Sequence, residues 1–184
     1  MSNIQKYIYS VVYPFFISKY LFKNIHEMPI LKSINLEVIV KNISSETDLR
    51  ILEIFSFLEQ ISGQRPYIKK FTSTYQQKRR HYFLILGVTL RNLNLFYFLE
   101  YFLMLLISQK FLIKFHSSSS SFFSFVINDF EFFSGLKETL KSLPVILKIN
   151  FNFKTNNNQE ALNTELSKNF LSCLGFNEVF KRKR

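Results

Sequence analysis

Three histidines, one cysteine and thirteen carboxylates are the conventional catalytic stock of this 184-residue chain. Their spacing supports no catalytic or metal chemistry. His26, His81 and His116 fall in different segments, with no cysteine or carboxylate at ligand spacing. No Gly-x-x-x-x-Gly-Lys phosphate loop is present, and no Ser-His-Asp set is suggested. The acidic residues are dispersed, whereas a nuclease needs them clustered. Cys173 has no partner for an internal disulfide, which fits a reducing compartment. It falls on the apolar side of an expected helix, as a small buried hydrophobe. What remains is phosphate binding. The run Ile61-Ser62-Gly63-Gln64-Arg65-Pro66-Tyr67-Ile68-Lys69-Lys70 reads as a helix ending at glycine, a turn, and a strand with adjacent lysines. Gly87-Val88-Thr89-Leu90-Arg91 reads as a second strand ending on an arginine. Two strands edged with cations and joined by a polar, basic loop make a surface for phosphate. The expectation is a protein that is not an enzyme, with neither cofactor nor metal.

The net charge of +11 points to a polyanionic partner, either nucleic acid or an anionic membrane surface. There are 23 Phe and 9 Tyr, but only 4 Gly and a single alanine, Ala161. Phe, Ile, Asn, Lys and Tyr share AT-rich codons, so the skew resembles genome bias. Phenylalanine is then expected to fill core sites where other chains use Val, Ala or Leu. The aromatic abundance by itself is weak support for base stacking, and Phe96, Phe98 and Phe102 read as core. No segment reads as a membrane span. The most apolar stretch, residues 95–107, is shorter than the ~20 residues a bilayer requires and has Glu100 in its middle.

The elements that must position these residues follow from periodicity. Residues 1–28 read as an N-terminal helical arm that Pro14 starts or kinks. Residues 30–40 alternate as a strand with Ile34, Leu36, Val38 and Val40 inward. A helix follows, capped by Ser44 or Ser45 with Asp48 in capping-box spacing. It carries Leu49, Leu52, Phe55 and Leu58 on one face and stops at Gly63. Strands are expected at 67–71 and 83–91, then a turn at Asn92–Asn94 and a deeply packed apolar helix to about 107. Residues 110–122, with the run Ser117–Ser121, read as a flexible segment. Strands at 122–127 and 145–155 follow, the latter with Leu147, Ile149, Phe151 and Phe153 on its core face. A turn is expected at 135–138. The closing helix gathers Leu162, Leu166, Phe170, Leu171 and Leu174 and ends at Gly175. The fold class is α+β: a mainly antiparallel sheet of about five strands, helices on one face, and the helical arm. Residues 29–180 form one domain, and 181–184 are a basic tail.

Six of these pieces, in order, resemble the large-subunit ribosomal protein five family, named for binding 5S rRNA. Met28-Pro29-Ile30-Leu31-Lys32-Ser33-Ile34-Asn35-Leu36 resembles its first strand. Ile61-Ser62-Gly63-Gln64-Arg65-Pro66 resembles its Ser/Thr-Gly-Gln-Lys/Arg-Pro turn, and Gly87–Arg91 its Val-Thr-Leu-Arg strand. Phe96-Tyr97-Phe98-Leu99-Glu100 is similar to its next helix. Phe133-Ser134-Gly135-Leu136-Lys137-Glu138 resembles its Gly-aliphatic-basic-Glu segment, and 158–176 its closing helix and Gly-Phe end. The middle third departs: the serine run stands where the family has Asp-Phe-Arg-Gly and Phe-Asp-Gly-x-Gly-Asn-Tyr.

The resemblance implies a structural constituent of the large subunit's central protuberance, as a divergent mitochondrial member of the family. It implies contacts with large-subunit rRNA, with 5S rRNA as the ancestral partner, with neighbouring large-subunit proteins, with P-site tRNA and with small-subunit ribosomal protein thirteen. Candidate rRNA-binding residues are Lys19, Lys23, Gln64, Arg65, Lys69, Lys70, Arg91 and Asn92. Candidates for the tRNA-contacting loop are Gln76, Gln77, Lys78, Arg79 and Arg80. For Gln64 the competing role is to cap its own turn, and for the loop a solvated hairpin tip. The AT-rich skew fits an organelle or an AT-rich parasite; with the resemblance, and with no Arg-rich, Ser-rich transit-like segment, the expectation is the mitochondrial matrix, in the large subunit of an organelle ribosome and organelle-encoded. The alternative is a basic peripheral membrane protein anchored by its aromatic arm.

Overall fold

The structure is a computed structural model and describes residues 2–22, 24–41, 47–73, 81–109, 116–119, 122–127, 133, 146–154 and 160–176. Helix α1 (Asn3–Tyr7) begins at Ser2, whose hydroxyl accepts from the Gln5 N–H. It runs through a π-helical turn (Ile8–Val12) into α2 (Tyr13–Tyr20). The wide turn has a local cause. Pro14 has no N–H to give, and its ring crowds the carbonyl four residues back. A turn in which the Tyr13 N–H reaches the Ile8 carbonyl lets the helix continue past it. Pro14 therefore enters α2 at its first turn. Ile4, Ile8, Val12 and Phe16 form the buried stripe. Leu21 ends α2 in the left-handed region at φ 47°, its N–H on the Ile17 carbonyl.

Strand β1 (Ile30–Lys41) buries Ile34, Leu36, Val38 and Val40. Helix α3 (Thr47–Ser62) buries Ile54, Phe57 and Leu58 and packs against β3. The expected caps at Ser44 and Ser45 lie outside the described residues, and Leu52 is exposed rather than inward. Strands β2 (Tyr67–Ser73) and β3 (His81–Leu90) pair antiparallel, with Tyr67 opposite Gly87 and Lys69 opposite Ile85. Helix α4 (Asn92–Gln109) leads to β4 (His116–Ser119) and β5 (Phe122–Ile127), also antiparallel. Strand β6 (Ile146–Lys154) buries Leu147, Ile149, Phe151 and Phe153 as its alternation demands. The closing α5 (Glu160–Cys173) ends in a Schellman motif. There the Phe176 N–H bonds the Leu171 carbonyl, and the N–H of Gly175, at φ 90°, bonds that of Ser172.

The class is α+β, with a six-stranded sheet in the order β2-β3-β1-β6-β5-β4. The extra strand is β4. It takes part of the serine run expected to be flexible, because Ser117 and His116 pair with Phe123 and Ser124. A bulge between Ser117 and Ser119 marks the irregularity. The turn expected at 135–138 and the basic tail lie outside the described residues. Helix α4 departs from expectation. Leu95, Phe98, Leu99, Phe102 and Leu106 are buried, but Leu93, Tyr97, Tyr101, Met104 and Ile107 form an exposed apolar stripe.

The contacts divide into two compact units. The first comprises Met1–Ile34, Arg91–Phe125 and Asn150–Arg184. Its core is a chain of phenylalanine rings: Phe102 meets Phe98, Phe125 and Phe176, and Phe153 meets Phe123 and Phe170, with centroids 5.3–6.1 Å apart. Such pairs contribute about 1 kcal/mol each beyond area burial. The second unit comprises Asn35–Leu90 and Val126–Ile149, with Phe57 against Phe133 at 5.3 Å.

Candidate nucleic-acid interface

The second unit carries the turn that leads to Arg65, Lys69 and Lys70. Gly63 takes φ 61° and bonds the Glu59 carbonyl at 2.8 Å, closing α3. The buried Ser62 hydroxyl completes the turn: it donates to the Leu58 carbonyl at 2.5 Å and accepts from the Gln64 N–H at 3.1 Å. Ser62, rather than the Gln64 side chain, is the cap. Gln64 is half-buried, Arg65 is exposed, and buried Pro66 sets the start of β2.

The register then sorts the strand residues by face. Leu84, Leu86, Val88 and Leu90 are buried, so the alternate positions Ile85, Gly87 and Thr89 belong to the other face. Tyr67 and Lys69 stand on that other face, opposite Gly87 and Ile85. Lys70 is paired with Leu84 in register. The adjacent lysines thus occupy register positions on opposite faces of the sheet.

Tyr67 is missing from the sequence-derived set, yet it is in contact with both Gly87 and Lys69. A Cβ on Gly87 would stand 2.8 Å from the Tyr67 Cζ and Oη, so the ring lies over the glycine. The Lys69 Nζ sits 5.0 Å from the ring centroid. The available signal is Gly87 itself, since a glycine inside a strand marks close approach by another group.

The first unit holds the rest. Lys19, in the last turn of α2, is exposed, with its Nζ 5.6 Å from the Phe15 ring and 5.3 Å from the Tyr20 ring. Tyr20 also accepts from the Asn169 amide of α5. Arg91 and Asn92 are exposed where β3 passes into α4, and Asn92 takes φ 53°, a conformation asparagine tolerates well. Burial raises the Cys173 thiol pKa, opposed by the positive charge of Lys19. Burial and neighbouring Tyr9 push the Tyr13 phenol up to about 12. The candidates therefore fall into two groups: Gln64, Arg65, Lys69 and Lys70 in one unit, and Lys19, Arg91 and Asn92 in the other. Lys23 and the loop candidates Gln76, Gln77, Lys78, Arg79 and Arg80 lie outside the described residues.

Among the described residues, no three His, Cys, Asp or Glu side chains are placed to hold a metal ion. None of the described helices is long and apolar enough to cross a membrane. Comparison with protein-family models and with curated proteins finds no match to this chain.

Proposed function

We propose that this chain is a structural constituent of the large ribosomal subunit that binds rRNA in the central protuberance, in a mitochondrial ribosome. The observation that carries the reading is the Ser62-Gly63-Gln64-Arg65-Pro66 turn. It closes a helix, opens a strand and leaves Arg65 and Lys69 exposed beside a second strand leading to exposed Arg91. These are the roles the resembling family's motifs would require of the same segments. RNA helices are read through shape, phosphate and 2′-OH, for which cations on a rigid sheet edge are suitable donors. Arg65 and Arg91 can each hold two phosphate oxygens or stack on a base. On this reading the loop at 76–80 meets P-site tRNA, and the further partners are neighbouring large-subunit proteins and small-subunit ribosomal protein thirteen. The protein works by contact, without turning over a substrate. Mass spectrometry of gradient-separated subunits tests this. The chain should sediment with large subunits and be released by ribonuclease; recovery free of ribosomes and indifferent to ribonuclease would end the proposal.

One observation favours a second reading, an interfacial membrane protein. Tyr7, Tyr9, Val11, Phe15, Ile17 and Leu21 are exposed on the N-terminal helices beside exposed Lys6 and Lys19. Flotation with anionic liposomes in high salt, without sedimentation alongside large subunits, would select it.

A further inference from the structure

We infer that Tyr67 is a stacking platform for one unpaired RNA base, with Lys69 holding the adjoining phosphate. This deepens the rRNA-binding reading and rests on it. Three observations converge within one compact unit. The Tyr67 ring lies over Gly87, where any Cβ would come within 2.8 Å of it, so the glycine lets the aromatic ring rest against the sheet. The ring is only half-buried, on the sheet face opposite the buried Leu84, Leu86 and Val88. The exposed Lys69 ammonium stands 5.0 Å from its centroid. Covering a strand glycine with an aromatic ring also supports the sheet. That role alone requires no cation beside the ring.

A base needs a π-face held at fixed orientation, and its phosphate needs a mobile cation within reach. Stacking of this kind tolerates any base, because every base has a π-face. It selects unpaired over paired nucleotides, whose faces are already occupied. Lys69 exchanges its contact with the ring for the phosphate when the base arrives.

The test uses the full chain and an eight-residue oligouridylate carrying 5-fluorouridine, with an RNA duplex of equal length as comparison. Tyr67→Leu should weaken oligouridylate binding about tenfold, and Tyr67→Phe should retain it. Duplex binding should be unchanged in both. The ¹⁹F resonance should show a ring-current shift with wild type and Tyr67→Phe, and none with Tyr67→Leu. Gly87→Ala keeps the tyrosine but lifts its ring from the sheet, and should weaken oligouridylate binding severalfold even if Tyr67→Leu fails to fold. Wild-type affinity in Tyr67→Leu, or equal loss in Tyr67→Phe, overturns the inference and leaves rRNA binding standing. A wild-type chain that binds neither RNA overturns both.

Discussion

At the scale of single residues, the informative side chains are those whose neighbours change their chemistry. Cys173 is half-buried, and its thiol pKa is raised above the ordinary value by that burial, against the opposing pull of Lys19. A raised pKa means less thiolate at a given pH. Iodoacetamide labelling of the folded chain should therefore be slower than that of an unfolded control at pH 8, and still rising above pH 9. Lys19→Ala removes the opposing charge and should slow labelling further; unchanged labelling would show that the lysine does not act on the thiol. The Lys19 result also separates its local role from any RNA contact, since labelling is measured without RNA. The sequence alone marks Cys173 as an apolar-side residue, but the lysine that meets it comes from the other end of the chain. Proximity across some 150 residues has no signature in local periodicity.

At the scale of elements, helix stops and strand faces were legible, whereas exposure was not. Gly63 and Gly175 both stand at helix ends with positive φ, and a Cβ at either would meet nothing within 4 Å. The cost of Gly63→Ala is thus backbone strain alone, about 1 kcal/mol. It should appear as a lower urea midpoint with unchanged slope; an unchanged midpoint would mean the turn relaxes out of the left-handed region. The alternation in β1 and β6 was readable because apolar and polar residues truly alternate there. In α4 they do not. Leu, Phe, Tyr, Met and Ile occupy nearly every side of that helix, so pattern carries no contrast, and it predicts burial where Tyr97, Met104 and Ile107 are exposed. The serine run reads as flexible by composition, yet Ser117 finds a backbone partner in Phe123. Strand pairing depends on backbone groups that composition does not report. Register likewise decides the meaning of Lys69 and Lys70: a slip of one residue would exchange the two lysines and move Tyr67 off its face.

At the scale of the whole molecule, the charge of +11 sets an electrostatic expectation. RNA affinity should fall steeply with salt, and each phosphate contact removed should lower the slope of log K against log salt by about 1. Reversing Lys69, Lys70 and Arg91 to Glu together should block entry into large subunits while the purified variant keeps its helical circular dichroism. Normal incorporation would remove these residues from the interface. The aromatic composition was legible as core filling, and the phenylalanine chain through Phe102, Phe151 and Phe176 answers to it. The division into two units was not legible, because each is assembled from separated stretches: three for one and two for the other. Strands β1 and β6 each pass from one unit to the other partway along their length, at Ile34–Asn35 and Ile149–Asn150. Neither unit can consequently be excised as a contiguous piece. Any truncation between residues 35 and 149 removes part of both at once, so the two units stand or fall as one chain-length commitment.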